Sequence, residues 1–165
     1  MTRRAVLLFS ILCCGALQAA APPPKAPAAA EAFQPHYVSQ RPKEAFLREG
    51  PGYAYKVLWV YRHKGYPFQV TASYDIWRRV KDADGIVGWM SAQMLSDSRT
   101  VLVTGKGRAE LRAGNDLGTK IVGLADPGAI LNLKSCSGEM CRVSADRVDG
   151  WIAKNRIWGA QELGK

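Results

Sequence analysis

The chain has 165 residues, of which 22% are charged, and it carries a formal net charge of +9 at pH 7. This length allows one ordinary domain or two small ones and excludes a large multidomain protein. The positive charge favours acidic partners, although it can equally serve only to keep the protein soluble.

Residues 1–20 show the order of segments that is typical of a secretory signal peptide. Arg3 and Arg4 give the chain a short basic start, the uncharged apolar run Ala5–Leu17 follows, and small residues precede Pro22. The run is too short for a membrane-spanning helix, which needs about 20 apolar residues. The sequence therefore predicts an exported, periplasmic protein that is cleaved after Ala19 or Ala20. Export makes nucleic acid an unexpected partner, and no stable membrane insertion is expected after cleavage.

Residues 21–40 are assigned to a linker. Pro22–Pro35 is rich in alanine and proline and shows neither a strand pattern nor a heptad pattern. This composition is typical of an extended spacer.

An internal repeat follows the linker. Glu44–Gly50 parallels Arg108–Gly114 at an offset of 64 residues, and Gly88-Trp89 parallels Gly150-Trp151 at an offset of 62. An offset that changes so little along the repeat indicates a duplication. The two units are assigned to residues 41–98 and 99–160.

Each unit reads as short strands separated by turns. Four of the predicted strands in the first unit are rich in β-branched and aromatic residues, namely Val57–Arg62, Pro67–Ser73, Ile76–Lys81 and Val87–Met90. Five short strands in about fifty residues are too few for a sandwich but enough for a small, partly open barrel. The expected fold is therefore all-β, with two tandem barrels that pack together or share stabilising devices.

The order of these motifs resembles the bacterial SH3-like domain. The first unit has Leu47-Arg48-x-Gly50 and Gly88-Trp89-Met90, and the second repeats them as Leu111-Arg112-x-Gly114 and Gly150-Trp151-Ile152. The resemblance covers about residues 40–160 and implies paired SH3-like barrels that usually bind cell-wall material or other proteins. The acidic-aromatic peptide-binding motif of the eukaryotic relatives is not evident, so recognition of proline-rich peptides is not carried over.

Cys136 and Cys141 are the cysteines that remain after signal removal. They flank a four-residue hairpin connection, so their side chains can meet across two strands. A structural disulfide is the expected state in an oxidising compartment. A redox pair lacks the Cys-x-x-Cys spacing, and a metal site lacks two further ligands.

No motif indicates catalysis or a cofactor. The histidines are limited to His36 in the linker and His63 at a strand end, and no nucleophile elbow, phosphate loop or paired-histidine motif appears. We therefore expect no enzyme activity, no cofactor and no metal.

Alignment of the two units separates core positions from other positions. Seven pairs are apolar in both units and are assigned to the core: Leu47/Leu111, Leu58/Val122, Val60/Leu124, Phe68/Leu131, Val70/Leu133, Val80/Val143 and Trp89/Trp151. Trp59 and Tyr61 are aromatic only in the first unit and are expected to share the strand face opposite Leu58 and Val60.

These aromatics and the neighbouring cations define a candidate binding patch: Trp59, Tyr61, Arg62, Tyr66, Tyr74, Arg78 and Arg79. Aromatic faces suit sugar rings, and cations suit carboxylates. The alternative is that the same aromatics pack the two units together or against the linker, since exposed apolar clusters are rare on monomers. Trp77, whose counterpart is Met140, is assigned to the core or its rim.

Two functions remain open. One is a periplasmic binding module for peptidoglycan or another anionic wall component, and the other is a protein-interaction adaptor without affinity for the wall. The sequence does not fix the oligomeric state.

Overall fold

The computed structural model describes residues 33–146 and 148–160, so the predicted signal peptide and most of the predicted linker lie outside the described residues. The described chain forms two seven-stranded antiparallel sheets, one after the other along the sequence. Each sheet curls around its own apolar cluster without a ladder between its two edge strands. The prediction of an all-β chain with two partly open barrels is confirmed.

The first sheet belongs to domain 1. Its strands are β1 (His36–Gln40), β2 (Ala45–Arg48), β3 (Val57–Tyr61), β4 (Pro67–Tyr74), β5 (Trp77–Lys81), β6 (Val87–Ser91) and β7 (Leu95–Ser96). They are ordered β3-β2-β6-β5-β4-β1-β7 in the sheet, and a one-turn 3-10 helix, Ala92–Met94, separates β6 from β7.

The second sheet belongs to domain 2 and repeats this topology. Its strands are β8 (Thr100–Val103), β9 (Ala109–Arg112), β10 (Ile121–Ala125), β11 (Ile130–Ser137), β12 (Met140–Ala145), β13 (Val148–Ala153) and β14 (Ile157–Trp158). They are ordered β10-β9-β13-β12-β11-β8-β14, with the 3-10 helix Lys154–Arg156 before β14. Strand for strand, the order is that of domain 1.

The linker boundary at residue 40 is wrong, because His36–Gln40 is strand β1. It pairs with β4 and with β7, so the β7 ladder of domain 1 depends on it. Gln40 is buried, and its Nε2 donates to the carbonyl oxygens of Pro42 and Tyr61. The proline-rich composition just before β1 concealed a strand of only five residues.

The predicted core is correct at most paired positions. Leu47, Phe68 and Val80 are fully buried in domain 1, and their counterparts in domain 2, Leu111, Leu131 and Val143, are also buried. Val70 is buried and Leu133 packs against the second core. Trp89 and Trp151 are only half-buried.

Two predicted core pairs are wrong. Leu58 and Val122 are exposed, and so is Leu124, while Val60 is half-buried. Leu58 is the extra residue of a bulge, because the β2–β3 register passes from Leu47 opposite Trp59 to Arg48 opposite Val57. The β9–β10 register shifts at the equivalent place. Val60 lies opposite the half-buried Phe46, on the outer face of the strand.

The repeated Leu-Arg and Gly-Trp motifs have a packing explanation. A Cβ on Gly88 would lie 2.7 Å from Cγ of Leu47 and 2.8 Å from the carbonyl oxygen of Arg48, so only glycine lets β6 pass this close to β2. Arg48 then holds the loop after β2, since its Nη1 donates to the carbonyl oxygens of Tyr53 and Tyr55 at 3.0 and 2.8 Å. In domain 2, Arg112 donates to the carbonyl oxygen of Thr119 at 2.7 Å in the same way.

The domains contact each other through β1 and the turn before β4 on one side and the start and end of domain 2 on the other. Thr100 Oγ1 donates to the carbonyl oxygen of Gly65 at 2.6 Å. The rings of Tyr37 and Trp158 meet edge to face with their centroids 5.2 Å apart, and Arg99 lies over the Tyr37 ring. These contacts bury Tyr37.

The predicted disulfide is confirmed. Cys136 and Cys141 lie directly opposite each other in the β11–β12 hairpin, with a Cα–Cα distance of 4.0 Å. Cys141 is part of the domain 2 core. In domain 1 the same paired positions hold Ser73 and Arg78.

Candidate functional site

Trp59 and Tyr61 lie on one face of β3 but differ in burial. They are opposite Leu47 and Ala45 in the uninterrupted part of the β2–β3 ladder, as the alternation along β3 predicts. Trp59 is 52% exposed, whereas Tyr61 is only 6% exposed and belongs to the core of domain 1. Other residues form the described contacts between the domains, and most of the linker, the other expected packing partner, lies outside the described residues.

Tyr61 anchors a buried polar network. Its ring packs edge to face on Phe68, with centroids 4.8 Å apart, and its hydroxyl donates to Oδ2 of Asp82 at 2.7 Å. The other oxygen of Asp82, Oδ1, accepts the backbone N–H groups of Asp84 at 3.0 Å and Ile86 at 2.7 Å. The carboxylate thus shapes the turn between β5 and β6 and ties it to β3.

Two tyrosines in this network have perturbed pKa values. Burial raises the pKa of Tyr61, and the hydrogen bond and negative charge of Asp82 raise it further. Burial, followed by the charges of Asp82 and Asp84, raises the pKa of Tyr66 to about 12. Both hydroxyls therefore stay protonated donors over the physiological pH range.

An open groove, which we call the Trp59 groove, borders this network. It has a volume of about 330 Å³ and is lined by Trp59, Val60, Tyr61, Arg62, His63, Tyr66, Asp82, Asp84 and Ile86. Four residues of the predicted patch thus come together in it. Nε of Arg62 forms an ion pair with Oε2 of Glu44 at 3.1 Å, and both side chains are exposed. Asp84 is exposed in the turn between β5 and β6.

The chemistry of the Trp59 groove is mixed. Trp59 offers an exposed aromatic face, Arg62 and His63 offer nitrogen donors, and Asp84 offers an acceptor. Such a set can bind a ligand that carries an apolar ring face together with both a carboxylate and an amine. The two aspartates were not predicted, because the predicted patch contained only aromatic and basic residues.

The other predicted patch residues lie outside the Trp59 groove. Tyr74 is exposed at the end of β4, and Arg78 donates to the carbonyl oxygens of Asp75 and Trp77 at 2.8 and 3.0 Å. Arg79 lies opposite Trp89 in the β5–β6 ladder. The seven predicted residues therefore do not form a single patch.

A second aromatic cluster was not predicted. The exposed ring of Tyr53 meets the buried ring of Trp77 edge to face at 5.0 Å, and the guanidinium of Arg48 lies 5.7 Å from the Tyr53 ring centroid. Arg48 also lies opposite Trp89 in the β2–β6 ladder. Arg48, Trp89 and Arg79 thus form a row across three strands, and Arg112, Trp151 and Arg142 repeat it in domain 2.

Domain 2 lacks the Trp59 groove. The positions equivalent to Tyr61, Tyr66 and Asp82 hold Ala125, Ala129 and Ala145. Domain 2 instead has an open groove of about 640 Å³ between the loop after β9 and the β11–β12 turn, with Leu117 and Met140 in its lining. Its edge strand β10 also exposes Ile121, Val122 and Leu124.

The described residues contain neither a candidate metal cluster nor a candidate membrane-spanning helix. No group of three or more histidine, cysteine, aspartate or glutamate side chains there could hold a metal ion. No helix in the same part of the chain has the length and apolar character needed to cross a membrane.

The fold and its sites define a tandem pair of small β-barrel modules of the SH3-like class. The bacterial SH3 domain family matches twice, over residues 41–97 and 105–159, and these stretches make up most of the chain. The protein belongs to this family. No curated protein matches the chain in sequence.

Two solved structures are similar to the chain at low identity. The structure of NlpC1 from Trichomonas vaginalis is 11% identical, with a TM-score of 0.35, over 79% of this chain and 48% of that protein. The structure of NlpC2 from the same organism is 9% identical, with a TM-score of 0.35, over 78% of this chain and 49% of that protein. The chain therefore spans about half the length of each.

Proposed function

We propose that this protein is an exported, non-enzymatic module that binds peptidoglycan in the periplasm through the Trp59 groove of domain 1. The observation that carries the proposal is a tryptophan that remains 52% exposed on a strand at the rim of a groove with both basic and acidic side chains. Membership of the bacterial SH3 domain family supports it, since such domains usually bind cell-wall material or other proteins.

The groove matches the chemical groups of peptidoglycan. An exposed indole face packs well against the apolar face of a sugar ring. Arg62 can pair with a carboxylate of the peptide stem, and Asp84 can accept hydrogen bonds from an amine. The net positive charge of the chain adds a weaker, salt-sensitive attraction to an anionic wall.

Co-sedimentation with purified sacculi tests the proposal. The mature protein should sediment at low and at raised salt, and Trp59→Ala should lose most of the salt-resistant fraction. Trp59→Phe, which keeps an aromatic face, should retain binding. Leu58→Ala is the matched control, because Leu58 is the neighbouring exposed side chain on β3 and does not line the groove.

Tyr61 is excluded from this test because it is part of the core, where truncation leaves a cavity and destabilises the domain. Equal loss of binding in Trp59→Ala and Leu58→Ala, or complete loss at raised salt in all proteins, would refute recognition by the groove.

Export and the absence of catalysis need separate measurements. Cell fractionation and the mass of the purified protein should show a periplasmic chain that begins after Ala19 or Ala20. Incubation with sacculi should release no soluble muropeptides. A full-length chain in the cytoplasm would contradict export. Release of muropeptides that depends on the added protein would contradict the absence of catalysis.

A protein-interaction adaptor is the second candidate function, and strand β10 is the observation that favours it. Ile121, Val122 and Leu124 are exposed together on an edge strand, and aliphatic side chains of this kind suit a protein surface better than a sugar. A photo-crosslinking residue at Val122 should then give one discrete protein adduct in the periplasm. The same residue at Lys56, which is exposed in domain 1, should give none.

A further inference from the structure

A cleft separate from the Trp59 groove lies where the two domains meet. It has a volume of about 510 Å³, and both domains and the connection between them contribute to its lining. This volume is within the range of small-molecule sites, about 300–1,000 Å³. The Thr100–Gly65 hydrogen bond, at 2.6 Å, lies in its lining and joins the two walls.

The charge of this interdomain cleft has one sign. Arg41 and Lys64 line it, and none of the residues that line it is acidic. Both cations are exposed, and neither forms an ion pair with another residue in the described part of the chain. Two cations without a neighbouring carboxylate favour an anionic group.

The rest of the lining is polar but uncharged. Ser96 and Ser98 contribute hydroxyls that lie 3.1 Å apart, and Asn132 contributes an amide. Ile130 provides an apolar contact surface beside Gly65. Hydroxyl and amide groups pair with the hydroxyls of a ligand, and a methyl surface packs against the carbon face of a ring.

From these features we infer that the interdomain cleft binds an acidic saccharide, that is, a chain of sugar rings that carry carboxylates. The cations pair with the carboxylate, and the serines and Asn132 bind ring hydroxyls. The cleft is much larger than an inorganic anion, which would leave the neutral donors and Ile130 unused. Because the walls come from both domains, this site exists only in the tandem arrangement.

The inference does not rest on wall binding by the Trp59 groove, and its test uses soluble ligands. Tetragalacturonate, neutral chitotetraose and inorganic phosphate are titrated separately into the ¹⁵N-labelled mature protein at low salt. Tetragalacturonate should shift the amide signals of Gly65, Ser98 and Thr100, and chitotetraose and phosphate at the same concentration should shift them little. Leu58→Ala, a change at an exposed residue outside both the cleft and the Trp59 groove, should bind tetragalacturonate as the wild type does.

Charge-reversal variants test the cleft itself. Lys64→Glu should weaken tetragalacturonate binding roughly tenfold or more, as expected for loss of a charge-assisted contact. Lys56→Glu makes the same change of net charge at an exposed lysine outside the cleft and should leave the affinity within about twofold.

Three results would each overturn the inference. Equal shifts with phosphate would reduce the site to one for a simple anion, and equal shifts with chitotetraose would remove the role of charge. Equal weakening by Lys64→Glu and Lys56→Glu would show attraction by net charge alone.

Discussion

The hydrogen bond between Tyr61 and Asp82 gives the most quantitative prediction. The change Tyr61→Phe keeps the ring that packs on Phe68 and removes only the hydroxyl, which donates to Oδ2 of Asp82 at 2.7 Å. Asp82 is 2% exposed, so water cannot replace the lost donor freely. A hydrogen bond to a charged group contributes about 1.5–3 kcal/mol, and we expect the free energy of unfolding to fall by that amount.

Urea unfolding of the mature protein, followed by tryptophan fluorescence, measures this change. Tyr74→Phe is the matched control, since Tyr74 is exposed and loss of its hydroxyl should change the free energy of unfolding by less than about 0.5 kcal/mol. The double variant Tyr61→Phe/Asp82→Asn should lose less than the sum of the two single variants, because both changes remove the same contact. A Tyr61→Phe protein as stable as Tyr74→Phe would refute the structural role of the pair.

Three further predictions concern packing, the disulfide and pH. Gly88→Ala should destabilise the protein by about 1–3 kcal/mol through overpacking. Gly150→Ala should destabilise it less, because a Cβ on Gly150 meets nothing closer than 3.1 Å. Equal losses of stability in thermal unfolding would contradict this prediction. Reduction of the Cys136–Cys141 disulfide should lower the free energy of unfolding by only about 2 kcal/mol, since so short a loop restricts the unfolded chain little; unfolding at room temperature on reduction would show a larger role. Above pH 10, the ordinary pKa of tyrosine, stability should fall as the unfolded chain ionises first, and it should go on falling until pH about 12, the pKa of Tyr66 in the folded state. Tyr66→Phe should flatten this decline in urea unfolding at pH 9–12, and an unchanged slope would contradict the raised pKa.

The fold was predictable because its signals repeat. The Leu47-Arg48 and Gly88-Trp89 motifs recur in order in the second unit, and each has a steric or hydrogen-bonding reason that depends only on nearby strands. The disulfide was predictable for a similar reason, since Cys136 and Cys141 flank a hairpin turn and must lie opposite each other in register.

The candidate site was less predictable because alternation gives the face of a side chain and not its burial. Alternation along β3 predicts that Trp59 and Tyr61 point the same way, and their positions opposite Leu47 and Ala45 agree with this. Trp59 is nevertheless exposed and Tyr61 is buried, and this difference depends on the surrounding strands and turns. The bulge at Leu58 was also not predictable, since neither glycine nor proline occurs in β3.

Partners that are distant in sequence were also missed. Asp82 is 21 residues from Tyr61 and reaches it only because the curled sheet brings the turn after β5 against β3. An aspartate in an Asp-rich turn is ordinarily a solvated turn residue, and its burial follows from tertiary contacts alone. The interdomain cleft is a still stronger case, since it depends on how two domains pack.

The differences between the two domains bear more directly on function than their similarities do. Three alanines in domain 2 occupy the places of Tyr61, Tyr66 and Asp82, and the same sheet topology forms around them, so the fold does not require the polar network. Burying a carboxylate is unfavourable unless several donors satisfy it, and domain 1 supplies three. The network fixes the turn that carries Asp84 against β3, and that turn forms the wall of the groove facing Trp59. Domain 2 has alanines at these three positions, so we propose that wall binding by a groove of this kind uses domain 1 rather than both domains equally.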